Sequence, residues 1–501
     1  MNLKQVVVSV MAIIAATIGW ADTVVFPTTG KDLANPTDWE RTAIPGTADV
    51  IQLGSSSADQ TVTASADVEF GGISVLAQSH NVIFDMRESV SQGAPRKIKM
   101  NGNAQIGNSG SAPYYTKYFL RGGYWDFGAN SVGIGTASYY KTPQGSKLTI
   151  DGGAVVVCNM LIGGYQFDED KPGLVTVTGE GTVVTTKYLY VSTPSGRYNQ
   201  MVISDGAKVF LSGATANGVF SIDGKAARNN RLIVTNGAQI VHLSGTKTCY
   251  HGQKGGANEL FVEADSLVNL SGASAYYLGH SDGQDANTFN DNRIMVRGEN
   301  AELKLPGVYQ GNASGVAARE GNCNSVVSVC DGGKLAGAKW YLNGHDNGFI
   351  ISNGTVQLTS GGIQCKTSTN CYVRMQGAHP SFVTTATGTS EYKDSFRFIF
   401  DLPAEGYDGT VDWPIDSTAT TSFDATVSVE VNGCAEVLDD MKAKDESKRI
   451  FNLARFANNC ITAEHLARWN ATLPDYAKLS FADNKLTLTV KNKRGLILLF
   501  K

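Results

Sequence analysis

The chain has 501 residues, a net charge of -4 and a pI near 6.0, and so lacks the strongly basic character that nucleic-acid binding calls for. Glycine numbers 55 and proline only 13; with glycine above the ~7% norm and proline below its own, the excess reads as many tight turns rather than as disorder. This length holds two or three ordinary domains, or one elongated repeat domain with a cap.

At the N-terminus Lys4 precedes an apolar run from Val6 to Ile18, followed by Gly19-Trp20-Ala21. That order predicts a secretory signal, residues 1–21, cleaved after Ala21. The run is shorter than the ~20 residues a spanning helix needs, and no later stretch is long and apolar enough to serve, so no membrane-spanning segment is expected after cleavage. All eight cysteines lie beyond residue 21, an even number that in an exported chain permits disulfides. Cys323 with Cys330 and Cys365 with Cys371 are the close pairs, and Cys434 with Cys460 is a candidate staple. The alternative is that several, Cys158 and Cys249 above all, are small buried hydrophobes. No CxxC or Cys/His cluster suggests a zinc site.

Residues 22–99 hold Ile44-Pro45-Gly46 and then alternating apolar residues from Gln60 to Val75, which predict short half-buried strands. A buried Trp39 would close the open end of a stack of strands there. Residues 100–375 repeat. Asn199, Asn230 and Asn258 each open a unit of the form Asn-x-apolar-x-Val/Ile, a tight turn, a small residue and a second alternating strand. Using the small residue as anchor, Ala104, Asn130, Gly153, Gly181, Ala207, Ala238, Ser266, Ala301, Gly333 and Gly354 lie 21 to 35 residues apart. A period of that size means a solenoid or a propeller. The units alternate with period 2, which excludes helical repeats, and are too short and irregular for ~40-residue propeller blades.

Two columns support stacking of like on like. Asn199, Asn230, Asn258, Asn292 and Asn324 precede their anchors by eight or nine residues, where side-chain amides can bond from rung to rung. An aromatic recurs at Tyr190, Phe220, Tyr250, Tyr277, Tyr309 and Tyr341, at intervals of 27 to 32. Facing outward these rings would form a ligand-binding strip suited to sugars; facing inward they are core or a ladder within the turns, the expectation adopted here.

The repeat units and the Trp39…Pro45-Gly46…Asp49 entry resemble the autotransporter-associated, passenger-type β-strand repeat proteins of bacteria. The resemblance spans roughly residues 30–370. It implies a right-handed parallel β-helix that is exported and surface-displayed or adhesive. Nothing after residue 370 has the many ~10-residue alternating strands of an outer-membrane barrel, so self-secretion is not expected.

From residue 380 to 501 the alternating strands lengthen, as in Ser395–Asp401, Ala425–Val431, Ala477–Phe481, Lys485–Val490 and Gly495–Phe500. Ala435–Glu446 and Thr462–Trp469 read as short helices, the second with Thr462 as N-cap and Glu464 in its first turn. The fold class expected is therefore all-β, a right-handed parallel β-solenoid (β-helix) with a β-rich C-terminal cap domain.

Parallel β-helices include polysaccharide lyases and hydrolases, for which a carboxylate cluster is the mark. Asp282, Asp285 and Asp291 lie in one loop with His280, enough oxygens for Ca²⁺ if the loop folds around it, but without EF-hand or nonapeptide calcium spacing. Ca²⁺ is the one cofactor considered, and a solvated loop is the alternative. His251, His280 and His345 lie near the ends of three units, as turn residues or as acid/base groups. Asp439-Asp440 falls on a helix and is expected to face water. The function expected is that of an exported, non-catalytic surface or extracellular β-helix protein for adhesion, glycan binding or scaffolding, its partner a polysaccharide or cell-surface protein. The alternative is a polysaccharide lyase or glycoside hydrolase on the same fold.

Overall fold

The computed structural model describes residues 23–26, 31–53, 58–75, 81–102, 104–106, 117–134, 145–164, 169, 172–192, 196–213, 220–222, 228–243, 245, 247–253, 255–280, 291–311, 324–385, 388–407 and 413–492. The signal-like segment, Cys323, the 281–290 loop and the strand expected at 495–500 lie outside them. The protein is nearly all β and forms a parallel β-solenoid with a β-rich C-terminal cap. It divides into two compact units, residues 1–187 and 188–501. No helix among the described residues is long and apolar enough to cross a membrane.

In the first unit, five parallel strands stack: Gln60–Val62, Asn81–Met86, Lys117–Gly122, Lys147–Asp151 and Leu174–Thr178. Trp39 is buried at its start. Its ring meets Phe26 edge-on at 4.5 Å and Phe70 at 5.7 Å, and its Nε1 donates to Leu33 O. A large ring with its one polar atom satisfied covers apolar surface without stranding a donor.

The second unit stacks nine parallel strands in one sheet, from Gln200–Ser204 through Arg231–Val234, Glu259–Val262, Arg293–Arg297, Val326–Cys330, Gly348–Ser352 and Tyr372–Gln376 to Arg397–Asp401 and Ser428–Asn432. Alternation sends every second side chain inward. Leu232, Leu260, Ile294, Val327, Phe349, Val373 and Phe398 therefore form one buried column, each such side chain contributing roughly 1.5–3 kcal/mol by burial.

Two kinds of corner keep the strands in register. After the first strand of several rungs comes an Asp-Gly or Asn-Gly pair in the left-handed region, as at Asp205-Gly206, Asn236-Gly237 and Asp331-Gly332. Asp and Asn tolerate that backbone, and Gly adopts it freely. The other corner places Tyr198, Asn229, Ala257 and Asp291 at φ between 54 and 65, and each is followed by an asparagine of the buried column.

Parallel stacking runs on well past residue 380. Arg397–Asp401 and Ser428–Asn432, read from sequence as parts of a separate domain, are further rungs of the same sheet. The architecture changes only at Gly433, where helix Cys434–Ala443 begins. Beyond it Lys448–Arg455 pairs in parallel with Ile415–Ser417 and antiparallel with Lys485–Lys491, which in turn pairs antiparallel with Ala477–Ala482. Covering the last rung this way occupies strand-edge groups that would otherwise invite pairing. Helix Ala463–Asn470 is capped as the sequence predicts: Thr462 Oγ1 accepts from His465 N, and His465 Nδ1 accepts from Thr462 N. A histidine completes this reciprocal cap in place of the usual Glu or Gln. Trp469 is buried, its Nε1 donating to Val427 O.

Candidate functional site

The aromatic column is the feature that reaches the surface. By strand register, Tyr190 pairs with Ser221, Ser221 with Tyr250, Tyr250 with Tyr277, Tyr277 with Tyr309 and Tyr309 with Tyr341. Phe220 is therefore not a member, and its inclusion among the sequence candidates is corrected here. It is one residue out of phase, fully buried in the inward column of Leu189, Cys249, Tyr276, Val308 and Trp340. A one-residue shift in a strand exchanges the two faces. A glycine follows two residues after Tyr250, Tyr277 and Tyr309 and not after Phe220, though Tyr190 and Tyr341 lack it too, so the sequence separates Phe220 only in part.

Four tyrosines stack continuously on the outer face. Ring centroids lie 5.6 Å apart for Tyr250 and Tyr277, 5.1 Å for Tyr277 and Tyr309, and 4.7 Å for Tyr309 and Tyr341, with interplanar angles of 16°, 22° and 14°. All four are half-buried. They do form a ladder, as expected, but it faces outward. Since the ring faces cover one another, what solvent meets along the ladder is ring edges and phenolic tips. Partial burial and the neighbouring phenols push the Tyr277 hydroxyl pKa up. At one end the Lys339 ammonium lies 4.9 Å from the Tyr341 ring centre, and its pKa is raised, chiefly by a hydrogen bond to Tyr341.

The positions two residues either side of the ladder are mostly small. Gly252, Gly279 and Gly311 lie on one flank, Ala275 and Gly307 on the other. Two of these glycines are also geometrically required: at Gly252 φ is +85° and a Cβ would lie 2.5 Å from Asn292 Nδ2, and at Gly311 φ is +94° and a Cβ would lie 2.3 Å from Asn343 O. The same column continues past the rings as Gln364, Glu391 and Ser422, none of which sequence reasoning singled out.

The asparagine column is internal. Asn199, Asn230, Asn258 and Asn292 are buried, and each of the first three donates both its backbone N–H and its Nδ2 to Oδ1 of the next at 3.0–3.2 Å. Asn324, expected as the fifth, instead takes the left-handed corner position at φ 59. Ser325 fills the buried place, its N–H donating to Asn347 Oδ1 at 2.8 Å.

Asp282 and Asp285 lie outside the described residues, and Asp291 is exposed at a left-handed corner. Among the described residues no three His, Cys, Asp or Glu side chains are grouped to hold a metal. His251 is not a turn residue but a buried strand residue, bonded through Nε2 to Asn258 O at 2.8 Å and through Nδ1 to the Tyr276 hydroxyl at 3.0 Å. Burial lowers its pKa to about 4. His345 ends strand Trp340–His345, and in register Gln253, not His251, pairs with His280.

No disulfide is present among the described residues. Cys158, Cys249, Cys330, Cys365, Cys371, Cys434 and Cys460 are free thiols, so the candidate pairs Cys365–Cys371 and Cys434–Cys460 are not bridged; Cys323 lies outside the described residues. Cys365 and Cys371 are buried, and burial pushes both thiols up, Cys371 to about 12. They pack as small hydrophobes. On the cap helix Asp439 pairs with Lys442 at 2.9 Å, and Asp440 with Lys444 at 3.0 Å and Arg449 at 2.9 Å.

No protein-family model, no curated protein and no solved structure matches this chain.

Proposed function

We propose that this is an exported, non-catalytic β-solenoid of the cell surface or extracellular space, of the passenger-like kind its repeats resemble, whose tyrosine face binds glycans. The observation that carries this reading is the outward stack of Tyr250, Tyr277, Tyr309 and Tyr341. Tyrosine offers rigid, amphipathic contact area at low entropic cost, because only two torsions must be frozen and neighbouring rings already hold them. A polar-edged ridge on a rigid scaffold suits ligands that carry both C–H surface and hydroxyls. The non-catalytic reading draws on the paired state of the carboxylates on the strand faces: Glu259 with Arg231 at 2.5 Å, Glu263 with Arg297 at 2.5 Å, Asp401 with Arg374 at 2.6 Å and Asp416 with Arg455 at 2.5 Å. At Asp401 burial works to raise the pKa, but hydrogen bonds from Arg374, Asn432 and Gln376 outweigh it and hold the carboxyl below its ordinary value, which makes it a poor general acid.

The test is incubation of the purified protein with a panel of neutral and acidic polysaccharides, with and without Ca²⁺, following polymer size and co-elution by size-exclusion chromatography. Co-elution without shortening is expected. Shortening of any polymer would overturn the non-catalytic reading, and the absence of binding to every polymer would overturn glycan recognition.

A further inference from the structure

If the tyrosine face binds glycans, its geometry restricts which ones. Each rung contributes one residue to the outer column, and the four rings repeat at 4.7–5.6 Å. Because the interior ring faces are covered by their neighbours, a sugar cannot lie flat against Tyr277 or Tyr309. It can meet only a row of edges and hydroxyl tips at a fixed pitch. The flanking positions are small, Gly252, Gly279 and Gly311 on one side and Ala275 and Gly307 on the other, and all but Gly307 are buried, so none of these five puts a large side chain beside the row in the path of an extended chain that follows the stacking direction. Past Tyr341 the column goes on through Gln364 to Glu391, so hydrogen-bonding side chains persist at one per rung. Among the described residues the tyrosine strands carry no acid, and the Lys339 ammonium lies beside Tyr341.

A ligand that keeps register with such a row must advance by one rung, roughly 5 Å, per repeating unit. An extended chain of pyranoses joined equatorially through 1,4 linkages advances by about one rung per sugar and is a flat ribbon with hydroxyls along both edges. A polypeptide strand advances ~3.3 Å per residue and presents like-facing side chains at twice that, so it drifts out of phase within a few rungs. Chains with α-1,4 linkages coil, and 1,6-linked chains are too flexible to hold a pitch without a large ordering cost. We propose that the Tyr250–Tyr341 ridge binds a neutral, equatorially 1,4-linked polysaccharide lying along the stack, one sugar to a rung, with four sugars spanning the four rings. This rests on the glycan-binding reading above and specifies its ligand.

The test is depletion of the purified full-length protein from solution by microcrystalline cellulose and by crystalline chitin, beside insoluble amylose and cross-linked dextran. Cellulose or chitin is expected to remove the protein, amylose and dextran not, and soluble 1,4-linked β-glucan oligomers should gain affinity up to the tetramer and little beyond. The double variant Tyr277→Ala/Tyr309→Ala should bind about 30-fold more weakly, the loss of two contacts of ~1 kcal/mol each, while Tyr124→Ala, an aromatic outside the ladder, should bind as before. Should the alanine pair fail to fold by circular dichroism, Tyr277→Phe/Tyr309→Phe, which keeps the stack and removes the hydroxyls, decides in its place and should also bind more weakly. Equal capture by amylose or dextran would overturn the pitch match while leaving glycan recognition standing. Undiminished binding by the folded double variant would overturn the site, and capture by none of the four polymers would overturn the proposed ligand, while glycan recognition itself falls only if the wider neutral and acidic panel also fails to bind.

Discussion

Asn230 Oδ1 accepts two hydrogen bonds from one residue: the backbone N–H of Asn199 at 3.0 Å and the Asn199 Nδ2 at 3.0 Å. Asn258 Oδ1 treats Asn230 the same way, at 3.0 Å and 3.2 Å. Each buried amide thus satisfies the corner of the neighbouring rung, and truncating Asn230 strands the Asn199 backbone N–H, while Asn199 Nδ2 keeps Ser192 Oγ and Arg197 O as acceptors at 3.2 Å. Asn230→Ala should therefore destabilise the protein by about 1–3 kcal/mol, the cost of one buried unsatisfied donor. The urea midpoint should fall, and hydrogen exchange should speed up first at the Asn199 amide. Unchanged protection at Asn199 would show that the corner is held by other contacts.

His251 should make the fold acid-sensitive. With Asn258 O as its partner, Nε2 must carry the proton, leaving Nδ1 to accept from Tyr276. Burial lowers the folded pKa to about 4 from an ordinary 6.5, so between those values the unfolded chain binds more protons than the folded one. This contribution is fully present above about pH 6.5, declines as pH falls toward about 4 and levels off below, a loss on the order of 3 kcal/mol. Urea midpoints measured from pH 7 to pH 4 should show a steeper decline for the wild type than for His251→Phe. Parallel profiles would count against the buried neutral ring.

Gly311 should tolerate no side chain. A Cβ there would meet Asn343 O at 2.3 Å with φ at +94°, combining a clash with backbone strain, and Gly311→Ala should cost at least ~2 kcal/mol. Gly128 also has positive φ, at +53°, but nothing lies within 4 Å of its Cβ position. Gly128→Ala should cost about 1 kcal/mol, near the strain alone. Thermal unfolding of the two variants measures the difference, and equal losses would mean that the close approach of Asn343 is relieved by small shifts.

The thiols should be free but slow to react. Alkylation in denaturant without reductant should label at least the seven described cysteines, whereas in the native state Cys158, Cys249 and Cys365 should resist, being buried and held protonated. Mass spectrometry counts the labels. Protection of Cys365 and Cys371 that persists in denaturant and yields to reductant would reveal a bridge between them.

The repeat itself, the solenoid class, the asparagine column through Asn292, the buried Trp39 and the Thr462 cap were legible in the amino acids, because each rests on local chemistry: strand alternation, αL-tolerant Asp-Gly and Asn-Gly corners, and a hydroxyl ahead of a helix. Less legible were the exclusion of Phe220 from the aromatic column, the replacement of Asn324 by Ser325 and the extension of the stack through Asn432. Period-2 alternation looks the same whichever residue starts it and whichever sheet receives it, so phase and membership were settled by pairing with adjacent rungs. Ser221 pairs with both Tyr190 and Tyr250, and that register alone turns Phe220 inward. The outward face of the tyrosines likewise follows from neighbours tens of residues away in the chain. Local propensities determined that this chain would coil; the contacts between rungs decided which side chains the coil shows to a ligand.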